Sequence, residues 1–218
     1  MIAIELNGVG KRYGSHWVLN RIDCQIRPGE SIALFGGNGS GKSTLLKIVA
    51  TLLTPSTGKV QTFGFNPKNK REIRRRIRFL PHEKQLYGAL SVLENLQLAA
   101  GIRGVKHPRQ QIESALERMR IREMQHRPVA HLSEGLKKRV MIAKLLIGES
   151  ELVLLDEPYP TLDQEGKEIM TELIRDWKQR GSTILMASHD HEPTLAQANR
   201  LLVLEAGKIT HDGPPRRV

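Results

Sequence analysis

The chain begins with two segments in which apolar and polar residues alternate. Residues 2–9 and 18–26 both follow a period of two, which is typical of strands with one buried face and predicts an antiparallel pair. The polar stretch Lys11–Ser15 is expected to form the connection between them. We therefore predict a β layer at the N-terminus.

Three almost wholly apolar runs indicate a different kind of strand. Ser31–Phe35, Leu152–Asp156 and Thr183–Ser188 show no polar face, as is typical of parallel strands that are covered on both sides. A helical pattern over Gln164–Arg180 joins the last two runs, and Arg200–Ile209 predicts a hairpin.

Between these runs the period changes to that of a helix. Residues 67–78 predict a short basic helix, with a strand before it over Lys59–Gly64 and another after it over Ile77–Leu80. From about residue 85 to 145, apolar positions recur at helical spacing. We predict one domain, residues 1–218, with a helical subdomain of about 85–145 inserted between strands.

A glycine loop separates the run Ser31–Phe35 from the helical pattern that follows it. The loop has the spacing G-x-x-x-x-G-K-[ST], and its residues are Gly36, Gly37, Asn38, Gly39, Ser40, Gly41, Lys42, Ser43 and Thr44. Glycines let successive backbone N–H groups turn toward one anion at a helix N-terminus, where the helix dipole adds positive potential. This predicts a phosphate loop, in which Lys42 contacts the β- and γ-phosphates and the Ser43 hydroxyl binds Mg²⁺.

Polar residues also follow the two later buried strands, at the ends where open α/β sheets bind their ligands. Asp156 and Glu157 follow one strand, and His189 follows the other. Because a phosphate loop lies upstream, we expect Asp156 to hold Mg²⁺ and Glu157 to polarise the water that attacks the γ-phosphate. His189 is placed to donate a hydrogen bond to that phosphate.

The net charge of the chain is strongly positive and unevenly distributed. The formal charge is +11, and residues 68–78 contain seven basic residues against one acid, Glu72. Such a run is compatible with a solvated helix face, with anionic lipid or with nucleic acid, and composition does not choose among them. The only cysteine, Cys24, lies in a predicted strand and is expected to be a buried small apolar residue.

Features of secreted or membrane-spanning chains are not found in the sequence. The N-terminus has no basic region followed by an apolar core, and no run approaches about 18 apolar residues. We therefore expect neither a signal peptide nor a membrane span, and a cytosolic chain.

Four motifs, in this order, resemble those of the ATP-binding subunits of ABC transporters: Gly36–Thr44, Leu132–Leu136, Leu152–Glu157 and His189. The resemblance covers essentially the whole chain. It implies a P-loop NTPase core that binds ATP and Mg²⁺ and hydrolyses the ATP.

The second of these motifs, Leu132–Leu136, resembles the family's Leu-Ser-Gly-Gly-Gln signature. In that family the signature binds the γ-phosphate of ATP held by the other subunit, which implies that Ser133 and Gly135 act in the partner's site. The sequence departs from the signature at Glu134 and Leu136.

Three further positions are interpreted from the same resemblance. Tyr13 is similar to the aromatic residue that stacks on adenine, and Pro160–Asp163 resembles the loop that bridges the two nucleotide sites. His82 stands where the family normally has a glutamine that senses Mg²⁺ and the membrane partner. Together with Leu86-Tyr87, Ser133–Arg139 and Asp156–Tyr159, His82 makes the chain resemble most the ATPase of the cytochrome c maturation haem-export system.

We predict an α/β fold with a P-loop NTPase core, an N-terminal antiparallel β layer and an inserted helical subdomain. The predicted function is ATP hydrolysis that powers a membrane transporter. The resemblance to the haem-export ATPase implies that the cargo is haem and that it is exported. The resemblance also implies an ATP-dependent homodimer, or a heterodimer with a related subunit, together with separate transmembrane subunits. It places the chain on the cytoplasmic face of the cell membrane, and no nucleic-acid partner is expected.

Two other functions compete with transport as interpretations of the sequence. A soluble ABC-type ATPase acting on nucleic acid or ribosomes is the alternative, although such proteins usually carry two cassettes or a long coiled coil. A nucleotide kinase or a GTPase is disfavoured, because the chain has the signature at Ser133–Gly135 and no Asn-Lys-x-Asp guanine-reading sequence.

Overall fold

The computed structural model describes residues 2–83, 85–189 and 191–215, and these divide into two compact units. The first unit contains the chain up to Phe79, Ser150–Pro158 and the chain from Ile174 onward. The second unit contains Leu80–Glu149 and Tyr159–Leu173. The segment predicted as a helical subdomain lies within the second unit.

Nine strands and seven α-helices are found in the described ranges. The strands are β1 (Ile4–Tyr13), β2 (His16–Ile26), β3 (Ser31–Phe35), β4 (Thr57–Thr62), β5 (Ile77–Leu80), β6 (Leu152–Asp156), β7 (Thr183–Ala187), β8 (Arg200–Glu205) and β9 (Lys208–Gly213). The helices are α1 (Lys42–Val49), α2 (Lys70–Arg76), α3 (Val92–Arg103), α4 (Pro108–Arg118), α5 (Glu134–Leu146), α6 (Gln164–Gln179) and α7 (His191–Gln197). Short 3-10 turns cover Pro67–Asn69, Arg122–Met124 and Val129–His131.

An antiparallel sheet in the order β2-β1-β4 forms the predicted N-terminal layer. The prediction was wrong about the connection, because Lys11–Tyr13 belongs to β1 and only Gly14 and Ser15 form the turn. The pairing of β1 with β2 shifts register between Leu6 and Val9 and again before Lys11. These irregularities break the alternation of apolar and polar residues. The alternating pattern therefore ends at residue 9, although β1 continues to Tyr13.

The second sheet has the order β5-β6-β7-β3-β8-β9 and builds the α/β core. Strands β6, β7, β3 and β8 are parallel, and β9 returns antiparallel to β8. Every residue of β3, β6 and β7 is buried, as the apolar runs predicted. The predicted fold class is therefore confirmed.

The second unit is mainly helical. Ser91 begins α3 with a capping box, in which its hydroxyl accepts from the Glu94 N–H and the Glu94 carboxylate accepts from the Ser91 N–H. The buried Asn95 side chain then fixes the loop before the helix, accepting from Tyr87 N at 2.9 Å and donating to Tyr87 O at 3.0 Å. The start of the helical region is thus set by side-chain bonds as well as by apolar burial.

Several arginines of the basic run 68–78 contact other parts of the protein instead of forming a fully solvated helix face. Arg74 donates to the hydroxyl and the carbonyl of Thr51 at 3.0 and 2.9 Å. Arg76 lies over the ring of Phe65, 5.2 Å from its centroid, and Arg78 is buried in β5. Only part of the positive charge counted from sequence is therefore free to meet a ligand or a surface.

Two smaller expectations can be compared with the described residues. Cys24 is buried, as predicted from its strand position. Across residues 2–83, 85–189 and 191–215, none of the helices is both long enough and apolar enough to span a membrane.

Candidate nucleotide-binding site

The phosphate loop links β3 to α1 in the first unit, in the predicted order of strand, loop and helix. Gly41 caps α1 with φ 107°, a left-handed conformation that other residues rarely adopt. A Cβ atom at Gly41 would lie 2.6 Å from Leu19 Cδ2 and 2.8 Å from Val18 O in β2. Glycine is therefore required here so that β2 can pack against the loop, while the crest of the loop at Gly37–Gly39 stays exposed.

Lys42 lies under the loop with its ammonium already fixed. Its Nζ donates to Gly36 O at 2.7 Å and to Gly37 O at 3.1 Å. Burial lowers the pKa of Lys42, and the negative charges of Glu157 and Asp156 oppose that shift. The side chain is thus held as a point charge directly beneath the backbone that was predicted to bind phosphate.

Ser43 and Asp156 meet as predicted for a metal site. Ser43 Oγ donates to Asp156 Oδ1 at 3.0 Å, and Asp156 is 1% exposed at the end of β6. Within the described ranges its other oxygen, Oδ2, is buried and has no hydrogen-bond partner. A buried carboxylate oxygen without a donor fits a cation, and one carboxylate, one hydroxyl and phosphate oxygens are a suitable set for Mg²⁺.

Glu157 and His189 are brought together from the ends of β6 and β7. Glu157 has φ 53°, and its N–H donates to Ala187 O at 2.9 Å. Its Oε2 accepts from the His189 N–H at 3.2 Å, and its Oε1 lies 3.5 Å from His189 Nε2. The backbone turn after β6 therefore directs this carboxylate toward His189 rather than along the strand.

His189 Nε2 also lies 3.4 Å from Lys42 Nζ. The same nitrogen can accept from the ammonium in one tautomer or donate to Glu157 in the other, but it cannot do both. The first unit thus brings together the five residues that were predicted around the phosphates and Mg²⁺ of the chain's own nucleotide: Lys42, Ser43, Asp156, Glu157 and His189.

Tyr13 lies in the same unit at the end of β1 and is 52% exposed. The Lys11 ammonium lies over its ring at 5.3 Å from the centroid. The ring is therefore partly covered and yet open enough to receive a flat base.

Ser133 and Gly135 belong to the second unit, at the start of α5. Ser133 is the N-cap, and its hydroxyl accepts from Leu136 N at 3.3 Å. A Cβ atom on Gly135 would lie 2.9 Å from Thr161 O, so a glycine lets the first turn of α5 approach the loop before α6. Of the two departures from the signature, Glu134 pairs with Lys137, whose Nζ lies 3.3 Å from Glu134 Oε1.

A buried arginine ties the same loop to α5. Arg139 donates to Asp163 Oδ1 at 2.6 Å and to Glu165 Oε2 at 2.9 Å. Burial alone would lower the pKa of Arg139, but these two hydrogen bonds and the negative charges of both acids together outweigh it and raise the pKa. The bond from Arg139, followed by one from the Gly166 N–H, lowers the pKa of Asp163. Asp163 is therefore a fixed anion at the start of α6.

His82 lies in the second unit, exposed, in the bend after β5. The neighbouring Lys84, part of the loop that was matched to the family, lies outside the described residues. The sensing role of His82 stays a prediction.

Sequence reasoning missed two residues at these sites, Lys11 and Arg139. Lys11 lies two positions before Tyr13 in a strand, so the period of two would have placed both side chains on one face had the strand been extended. Arg139 stands in a basic stretch of α5, and nothing in that stretch indicates that it is buried against an acid 24 residues later.

Comparisons with known proteins agree with this geometry. The ABC transporter family profile matches residues 19–160. The chain is 36% identical to a Nod factor export ATP-binding protein I of Rhizobium johnstonii, over 98% of the chain and 70% of that protein. It is 35% identical to an aliphatic sulfonates import ATP-binding protein of Burkholderia lata, over 97% of the chain and 64% of that protein.

Two solved structures show the same fold. An ATP-binding subunit of an ABC transporter superposes with a TM-score of 0.90 at 28% identity, over 97% of this chain and 90% of that one. The cassette MJ0796, solved as a dimer in a post-hydrolysis state bound to ADP and Pi, superposes with a TM-score of 0.90 at 25% identity, over 99% and 100%. The chain therefore belongs to the ABC transporter family, as an ATP-binding subunit that binds ATP with Mg²⁺ and hydrolyses it.

Proposed function

We propose that the chain is the ATPase of a membrane transporter and that it works as a dimer with two composite nucleotide sites. The observation that carries this proposal is the cluster of Lys42, Ser43, Asp156, Glu157 and His189 around the phosphate loop.

Lys42 and the loop N–H groups bind the β- and γ-phosphates. The ammonium is held by Gly36 O and Gly37 O before substrate arrives, so little reorganisation is needed when charge develops in the transition state. Ser43 and Asp156 would hold Mg²⁺, which neutralises charge on the β- and γ-phosphate oxygens when bound. Tyr13 stacks on the adenine, for which its half-exposed ring is suited.

Glu157 is the general base. Its buried carboxylate accepts from the His189 N–H, and its backbone N–H is fixed by donating to Ala187 O. A fixed orientation favours proton transfer from an attacking water. His189 donates to the γ-phosphate from the tautomer or protonation state in which Nε2 carries a proton.

Ser133 and Gly135 bind the γ-phosphate of ATP held by a second copy or by a related subunit. Support comes from the resemblance of Leu132–Leu136 to the family signature and from the dimeric state of the similar cassette MJ0796. Glu134 would bring a negative charge close to this phosphate, and its pairing with Lys137 reduces that charge.

The transport role requires separate transmembrane subunits, which would hold the chain at the cytoplasmic face of the membrane. Support comes from relatives whose names describe export of Nod factor or import of sulfonates. Because those cargoes differ, they favour transport without choosing what this chain helps to move. His82 would sense the membrane partner from the loop after β5.

Co-purification tests the transport role against the alternative of a soluble ATPase that acts on nucleic acid or ribosomes. The tagged full-length chain, solubilised from membranes in mild detergent with ATP, should bring down integral membrane proteins. A chain that brings down ribosomes or nucleic acid instead, with no membrane protein, would support the alternative.

For the cargo, we propose haem destined for cytochrome c maturation. Support comes from the loop residues that resemble that subfamily, namely His82, Leu86-Tyr87, Ser133–Arg139 and Asp156–Tyr159. Deleting the gene should remove covalent haem from c-type cytochromes on haem-stained gels. Restoring the parent gene, but not the Glu157→Gln variant, should bring the haem back. Unchanged haem staining in the deletion strain would rule this cargo out.

A further inference from the structure

The tip of the β1–β2 hairpin carries two cation–aromatic pairs side by side. Lys11 Nζ lies over the Tyr13 ring at 5.3 Å from its centroid, and Arg12 lies over the Trp17 ring at 5.7 Å. Tyr13 is 52% exposed even with Lys11 in place. One cation therefore restrains the ring without closing it off.

Lys11 also connects this tip to the segment that follows the phosphate-loop helix. Its Nζ donates to Thr54 O at 2.9 Å. Two further bonds fix the same approach, since Ser56 N donates to Gly10 O at 2.7 Å and Arg12 N donates to Ser56 Oγ at 3.1 Å. The hairpin that carries Tyr13 is thus anchored five residues beyond the end of α1, and the start of α1 is the proposed phosphate-binding end.

We propose that Lys11 is a positioning residue for the nucleotide base, which fixes the Tyr13 ring at a set distance from the phosphate loop. This inference rests on the proposed stacking of Tyr13 on adenine. The ammonium has three donors, so it can bond Thr54 O and still lie over the ring. A ring that is already ordered loses less conformational freedom when the base stacks on it, and binding becomes correspondingly stronger.

A general attraction between Lys11 and the triphosphate would also strengthen binding, and two features of the chain separate the explanations. Arg12 carries the same charge one residue later, but it lies over Trp17 rather than Tyr13, so Arg12→Met is a matched control. Tripolyphosphate has the phosphates of ATP without the base, so it reports the electrostatic effect alone.

The experiment measures KM and kcat for ATP, and Ki for tripolyphosphate as an inhibitor, in the purified full chain. Lys11→Met should raise KM about 2- to 10-fold, the range for ordering one side chain, with kcat and the Ki of tripolyphosphate nearly unchanged. Lys11→Arg, which keeps the positive charge, and Arg12→Met should both have a KM close to that of the parent. Thermal unfolding midpoints of all variants identify any that have lost their fold.

A Lys11→Met variant in a Tyr13→Ala background completes a double-mutant cycle. If Lys11 acts through the ring, Tyr13→Ala raises KM and adding Lys11→Met raises it no further. Equal increases in KM and in the Ki of tripolyphosphate, in both Lys11→Met and Arg12→Met, would overturn the inference in favour of general attraction. A KM that responds to Tyr13→Ala but not to Lys11→Met overturns the inference alone. A KM that changes with neither Tyr13→Ala nor Lys11→Met overturns both the inference about Lys11 and the proposed stacking of Tyr13 on adenine.

Discussion

Replacing Glu157 by glutamine tests the assignment of the general base with little disturbance of the fold. The two side chains have the same shape, and an amide oxygen can still accept the hydrogen bond that Glu157 Oε2 receives from the His189 N–H at 3.2 Å. The bond from Glu157 N to Ala187 O involves only backbone and is unchanged. The substitution therefore removes basicity and one negative charge, and little else.

The expected loss follows from the chemistry of proton transfer. A positioned base contributes a factor of about 10²–10⁴, so kcat for ATP should fall by that factor in Glu157→Gln. ATP binding should persist or become slightly stronger, because a negative charge beside the γ-phosphate is lost. Since hydrolysis is slowed while binding is kept, ATP-dependent dimers should accumulate.

The assay combines steady-state ATPase rates with light scattering after size-exclusion chromatography in ATP and Mg²⁺. Glu151→Gln is the matched control, because Glu151 precedes the opposite end of the same strand, exposed and 3.5 Å from Arg76 Nε. Removing that surface carboxylate should change kcat by less than about twofold. A Glu157→Gln protein whose kcat equals that of Glu151→Gln would show that another group takes the proton.

Four other predictions test separate features of the chain. Lys42→Ala should abolish nucleotide binding itself in calorimetry, because the ammonium contacts phosphates in the ground state as well as the transition state; normal affinity would contradict this. His82→Gln should keep or raise basal ATPase activity, whereas His82→Ala should lose stimulation by the membrane partner; a His82→Ala protein that the partner stimulates as strongly as the parent would refute the sensing role. Charge reversal at Lys70 and Arg71, which leaves the bonded Arg74 and Arg76 intact, should not change soluble ATPase activity if this part of the run is a solvated face. Burial raises the pKa of Cys24 from 9.0 to about 11, so the stability that the neutral thiol contributes is complete below pH 9 and is lost as the pH rises to 11. Between these pH values the free energy of unfolding, measured by chemical denaturation, should fall by roughly 2–3 kcal/mol more in the parent than in Cys24→Ala.

The parts of the fold that could be predicted from sequence are those in which one kind of burial continues over a whole element. Strands β3, β6 and β7 are buried on both faces, so every position except Asp156 at the end of β6 is apolar, serine or threonine, and the run is visible without context. The phosphate loop could be predicted for a related reason, because its glycines are required by the backbone conformation of the loop itself.

The parts that could not be predicted are those in which the local sequence carries no visible pattern of burial or period. Arg78 looked like one more residue of a basic run, yet it lies in β5 and is 3% exposed. Helix α7 has only seven residues with Pro193 in its first turn, too short for a helical period to be seen. Gly135 approaches Thr161, which lies 26 positions later in the chain. Interpreting the signature as a nucleotide-binding motif does not predict this packing contact.

The close approach of Gly135 to Thr161 changes how the signature should be interpreted. A glycine at this position serves the chain's own packing, because any larger residue would meet Thr161 O at 2.9 Å and displace the loop before α6. Arg139 then holds the end of that loop through Asp163, with its guanidinium buried and both acids fixed. The first turn of α5 and the loop 159–163 are therefore joined at two points within one unit. If the signature closes on nucleotide held by a second subunit, we expect this loop to move with it, since neither can shift alone without taking the buried Arg139 guanidinium away from Asp163 and Glu165.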